Sequence, residues 1–152
     1  MNELTRILIL FLMIIVNYIL LSAGAWIYLP DIFLVQTLLF TTFFSKIPSL
    51  YYFVIKGFLI DLFFSVYSAP YLVTFTLIGA YLNFGNLKWI QRSFVEQIIM
   101  IFLISAILNF LLGYFNNFTQ STELRVILNP LLNILVWTLI FITQRKNWLK
   151  NI

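Results

Sequence analysis

The 152-residue chain contains no cysteine and no histidine. Without cysteine there is no disulfide framework, no thiolate metal site and no dithiol redox motif. Without histidine, imidazole-ligated zinc, haem with a histidine axial ligand, and Ser-His-Asp or Cys-His catalysis are excluded as well. Charge is also scarce. Only 9% of residues are Asp, Glu, Lys or Arg, against about 25% in a typical soluble domain. A water-exposed surface needs more polar cover than that. No stretch is polar enough to form a separate soluble unit, so residues 1–152 read as one domain.

Other absences narrow the chemistry. The net charge of +4 comes from basic residues scattered singly between apolar runs, with no basic stripe and interleaved aromatics, so nucleic acid is not an expected partner. There is no glycine-rich phosphate loop, no paired-carboxylate motif and no intramembrane protease signature. The sequence therefore predicts a non-catalytic protein with no catalytic residue, no metal and no cofactor.

What is present is apolar. Hydrophobic residues make up 62% of the chain, and the mean hydropathy is +1.02. The long runs are apolar on all sides, as in "QIIMIFLISAILNFLLGYF", and lack the period-two alternation of a transmembrane barrel strand. They read as membrane-spanning helices. Six candidate spans emerge, at 7–22, 31–44, 50–67, 71–84, 94–114 and 126–143, separated by "SAGAWIYLPD", "SKIP", "SAP", "GNLKWIQR" and "NNFTQSTE". The second and fourth are short, about 14 residues and roughly 21 Å as straight helix, so four or five crossings are also compatible with length. Pro30 and Asp31 stand where helix starts favour a proline and an acid. Arg6, the first apolar run and Ala23-Gly24-Ala25 also fit a cleaved signal peptide. Retention as a first span is the simpler reading, because no exported polar domain follows.

The charges favour six crossings. With the N-terminus inside, Arg6, Lys46, Lys88, Arg92, Arg145, Lys146 and Lys150 fall on the cytoplasmic side and Arg125, near Glu123, falls outside. Lys and Arg concentrate on the cytoplasmic side of bacterial membranes. The expected location is the bacterial inner membrane, with multiple passes and both termini cytoplasmic. Trp26, Trp89, Trp137 and Trp148, with Tyr51 and Tyr52, mostly fall near span ends, as interfacial aromatic belts do.

Two charges lie inside the third span, in "KGFLIDLFFSVYSAP". An ionised side chain near the bilayer centre costs about 2.5–3.5 kcal/mol on the insertion scale. Lys56, about two turns in, is expected to snorkel back to the cytoplasmic interface as an anchor. Asp61 is deeper and short, so it must be protonated or bonded within the protein. The two are about 140° apart around a helix, which disfavours a direct pair.

Small and polar residues recur at helical spacing. Gly57, Asp61, Ser65 and Ser68 share one side of the third span; Thr76, Ala80 and Asn83 mark the fourth; Ser105, Asn109, Gly113 and Asn116 mark the fifth; Asn129 and Asn133, beside Pro130, mark the sixth. Such faces let helix backbones approach and hydrogen-bond where lipid supplies no hydrophobic drive. They serve either as internal glue or as a cavity or partner-docking surface. The threonines of the second span, Thr37, Thr41 and Thr42, are explained by back-bonding within the helix. Arg92 and Glu96, at i,i+4, read as a modest surface pair.

The order of these features resembles a known family, the bacterial rod shape-determining protein MreD. The likeness runs from "LPDIFLVQTLLFTTFFSKIP" through "GFLIDLFFSVYSAPYLVTFTLIGAYL" to "GNLKWIQRSFVEQ", roughly residues 28 to 112. Gly57, Asp61, Leu62, Ala80 and Tyr81 occupy positions of the family's Gly-x-x-x-Asp-Leu pattern and of its following span. The chain departs at Phe63 and Phe64, where the family often has a small pair, and at Ala69 and Pro70, where it often has Leu-Gly. The resemblance implies an all-α membrane protein, a bundle of about six transmembrane helices similar to the substrate-binding components of energy-coupling-factor transporters. It implies a scaffold of the cell-wall elongation complex that maintains rod shape, beside MreC, a RodA-type glycosyltransferase and its transpeptidase partner, with MreB at the cytoplasmic face. The alternative is a vitamin-binding component of an energy-coupling-factor transporter. The first span, "ILILFLMIIVNYILL", lacks the alanines with which such components dock.

Overall fold

The computed structural model describes residues 3–44, 46–64, 68–85, 87–115 and 120–149. Among them there are six α-helices and two short 3-10 turns and no strand: α1 (Glu3–Ser22), a turn at Ala25–Tyr28, α2 (Ile32–Thr42), α3 (Leu50–Phe64), α4 (Pro70–Phe84), a turn at Trp89–Gln91, α5 (Phe94–Phe115) and α6 (Gln120–Leu149).

Local chemistry sets most boundaries. Past the end of α1, Gly24 takes a left-handed conformation (φ 69°), which a residue with a side chain adopts only at a penalty. Asp31 caps α2, its Oδ1 accepting the Leu34 N–H at 2.8 Å. Pro70 begins α4, a position that needs no N–H. Ser93 Oγ accepts the Glu96 N–H at 3.2 Å in the first turn of α5.

The helices differ from the expected spans at specific ends. α2 has 11 residues, roughly 16 Å, so it is shorter than 31–44. α3 is described to Phe64, and the expected extension to 67 lies outside the described residues. α6 starts six positions before Val126 and has 30 residues, roughly 45 Å. Pro130 is therefore inside α6 rather than near its start, and the helix loses the N–H that would meet the Val126 carbonyl. Two helical segments, Phe94–Phe115 and Glu123–Gln144, each 22 residues, are long and apolar enough to cross a membrane.

Consecutive helices form the main pairs, α3 with α4 and α5 with α6; α4 also packs on α5, and α2 on α1, α6 and the Trp89–Gln91 turn. The core between them contains Phe33, Leu34, Leu38, Phe53, Ile60, Phe75, Ile78, Leu82 and Leu108. The outside is also apolar: Leu12, Ile19, Ile55, Phe102, Phe110, Ile127 and Leu135 are exposed. The starts of α2 and α4 meet α6 near Arg125 at one end of the bundle. The last turns of α4 and the first turns of α5 lie at the other.

Candidate functional site

The polar residues of the interior fall into a helix corner and a seam. The corner joins α3 to α4. Ala69, the residue before Pro70, has no side chain able to cap α4. Asp61 does so from the preceding helix. Its Oδ1 accepts the Tyr71 N–H at 3.1 Å and its Oδ2 the Leu72 N–H at 2.7 Å. Two free donors of the first turn are thus met by one carboxylate at the positive end of the helix dipole. Gly57, one turn earlier on α3, permits the approach. A methyl group there would lie 2.7 Å from both Leu72 Cα and the Tyr71 carbonyl oxygen. The Gly57–Asp61 spacing is the spacing this corner requires: no side chain, then a carboxylate one turn on.

The seam runs between α5 and α6 and reaches α2. Arg125, Asn129, Asn133 and Trp137 recur every four residues on α6, and all are buried. Asn133 Nδ2 donates to Ser105 Oγ and to Asn129 Oδ1, both at 2.9 Å. Asn109 Nδ2 donates to Asn129 Oδ1 at 2.8 Å. The pairs 105–133 and 109–129 share one antiparallel register, which brings buried Gly113 to the level of Arg125. The same amides hold the segment between α1 and α2: Asn129 Nδ2 donates to the Leu29 carbonyl at 2.9 Å, and Asn133 Oδ1 accepts the Asp31 N–H at 2.7 Å.

An ion pair completes this end. Arg125 Nη2 lies 3.6 Å from Asp31 Oδ2, with both side chains at most 2% exposed. The Tyr71 hydroxyl donates to the same oxygen at 2.8 Å. Arg125 Nη1 donates to the Trp26 carbonyl, and its guanidinium stacks 3.7 Å from the Trp26 ring centre. Asp31 and Tyr71 thus link α2, α4 and α6, and Tyr71 joins the seam to the corner that Asp61 caps.

At the opposite end, the Trp137 indole N–H donates to Gln97 Oε1 at 2.8 Å, and Gln97 Nε2 donates to the Trp89 carbonyl at 2.9 Å. Trp89 and Trp137 pack edge to face, 1% and 0% exposed. They are core residues rather than the interfacial belt expected of them, because α2, α5 and α6 close around this turn. Arg92 and Glu96 do form an ion pair, at 2.6 Å. Arg92 is buried, however, with its guanidinium 3.9 Å from the Tyr81 ring centre, and the Tyr81 hydroxyl donates to Glu96. This makes the pair an α4–α5 tie rather than a surface pair.

The expected site residues divide accordingly. Gly57 and Asp61 form the corner; Asn109, Asn129 and Asn133 form the seam, with Gly113 and Pro130 buried on its helices. Ser68 is half-buried just before α4, and Ser65 lies outside the described residues. Asn83 is exposed and belongs to neither group; its Nδ2 donates to the Gly79 carbonyl at 2.8 Å and the Pro48 carbonyl at 3.1 Å. Lys56 does not snorkel to an interface. It is 6% exposed, because α2 covers it, and its Nζ lies 5.3 Å from the centre of the Phe40 ring. Asp31 caps α2 as its place at a helix start implies; its tie to Arg125 and Tyr71, and the role of Gln97, were not anticipated. For Arg125, the i+4 series through Trp137 was the available signal.

Among the described residues no three of His, Cys, Asp and Glu converge as a metal site. The fold and the seam define a class: an all-helical chain, with two helical segments apolar enough to cross a membrane, whose interior polar side chains bind helices to one another. No family model, curated protein or solved structure matches the chain.

Proposed function

We propose that this chain is a non-catalytic, multi-pass subunit of the bacterial cell-wall elongation complex, of the MreD kind. It crosses the inner membrane six times with both termini cytoplasmic, helps maintain rod shape, and scaffolds MreC and the RodA-type glycosyltransferase with its transpeptidase, near MreB. The observation that supports this reading is the corner built by Gly57 and Asp61. These are the residues of the Gly-x-x-x-Asp pattern on which the resemblance to that family rests, and here they have a definite physical task. The apolar exterior and the use of interior polar groups for helix contacts agree with a scaffold. Short α2 and α4 enter the bilayer core as partial spans or where the bilayer is locally thinned.

The reading is tested by depleting the protein in its native host. Rod cells that widen and round up, with wall synthesis no longer confined to the side wall, are expected. Unchanged shape after full depletion overturns the proposal.

A further inference from the structure

Two enclosed side chains take no part in the corner or the seam. Lys56 is 6% exposed and Gln36 is 4% exposed. Among the described residues, Lys56 Nζ, Gln36 Nε2 and Gln36 Oε1 have no hydrogen-bond partner. Phe40 of α2 relates the two. Lys56 reaches from α3 to Phe40 of α2, with Nζ 5.3 Å from the ring centre. Gln36 is one turn before Phe40 on the same face of α2, where side chains four apart are neighbours. The α2 and α3 backbones do not pack closely here, since α3 is held chiefly by α4 and α2 by α1, α6 and the Trp89–Gln91 turn.

The acids of α2 and α3 are engaged. Asp31 serves Leu34, Tyr71 and Arg125, and Asp61 serves Tyr71 and Leu72. An ammonium enclosed without a counter-charge is strongly unfavourable, and a phenyl face does not replace its lost hydration. A buried amide with neither donor nor acceptor met is also exceptional. One chemical group meets the ammonium and the amide donor together: a carboxylate accepts from Nζ on one oxygen and from Nε2 on the other, with Phe40 as the wall for its carbon body. We propose that α2 and α3 hold a small organic carboxylate between Lys56 and Gln36. This stands independently of the role in wall synthesis.

The test is the thermal unfolding midpoint of the full-length protein in mild detergent, titrated with sodium propionate, sodium lactate, sodium chloride and sodium phosphate, since a ligand that binds only the native state raises the midpoint with concentration. Propionate or lactate is expected to raise the midpoint of the wild type more than chloride or phosphate does. Lys56→Met, which replaces the ammonium with an apolar chain of similar length, is expected to fold and to bind the carboxylate at least tenfold more weakly. Gln36→Leu, on the other helix, is expected to weaken it in the same direction and provides the reading if Lys56→Met does not fold. A response to all four salts alike means an adventitious ion only and overturns the proposal. So does no carboxylate response in the wild type, or an undiminished one in the variants.

Discussion

Asp61 Oδ2 lies 2.7 Å from the backbone nitrogen of Leu72, so a side chain of α3 performs the capping that Ala69 cannot. Asp61→Leu strands both the Tyr71 and the Leu72 N–H and should destabilise the protein by about 2–3 kcal/mol. Asp61→Asn keeps one acceptor and should cost about 1 kcal/mol. Adding Ala69→Asp to Asp61→Leu supplies a cap from the neighbouring position and should recover part of the loss. Unfolding titrations in mixed micelles check the order; a double variant no more stable than Asp61→Leu alone contradicts the capping role.

Gly57→Ala is expected to be the most damaging glycine-to-alanine change at a turn or corner. Its methyl meets backbone at 2.7 Å, and backbone cannot swing aside, so about 2–3 kcal/mol is expected from overpacking. Gly24→Ala meets nothing within 4 Å and suffers only the left-handed backbone penalty, about 1–2 kcal/mol. Thermal unfolding of the two variants side by side checks the ranking.

Asp31 and Arg125 should show strong energetic coupling. Arg125→Met leaves a buried carboxylate without its counter-charge, and about 3–5 kcal/mol is expected. Asp31→Asn in the same chain removes the uncompensated charge, so the double variant should be more stable than the sum of the singles predicts. A double-mutant cycle measures this, and strict additivity would show that the pair does not interact.

The interior and exterior asparagines should separate cleanly. Asn133→Leu breaks bonds to Ser105, Asn129 and the Asp31 N–H and should cost about 2–4 kcal/mol, since several buried groups lose partners. Asn83→Ala touches an exposed position and should stay within about 1 kcal/mol. Equal effects would mean that the seam does not hold the bundle together.

Much of this was legible before the fold was seen. Apolar runs and their punctuation anticipate six helices, because Gly24, Pro30 and Pro70 act on the backbone locally, although α6 begins six positions before its expected start. Gly57, Asp61, Asn109, Asn129 and Asn133 stand out because a polar or missing side chain inside an apolar run demands a partner. The partners themselves were not legible. Asp31 and Arg125 are 94 positions apart, and each had an adequate local explanation, Asp31 at a helix start and Arg125 near Glu123. Lys56 was misread because its distance from the helix end favours snorkelling, and only tertiary packing shows that α2 covers it. Trp89 and Trp137 were misread for the same reason. Residues at chain-segment ends are interfacial only if no neighbouring helix closes over them.

The most direct measurement of the central claim is affinity purification of the tagged chain from its native host in mild detergent, with mass spectrometry of what accompanies it. The account predicts MreC and the RodA-type glycosyltransferase with its transpeptidase, retained by the wild type and lost with Asp61→Leu. Recovery of paired ATPases with a coupling subunit, and none of the wall-synthesis proteins, would contradict it.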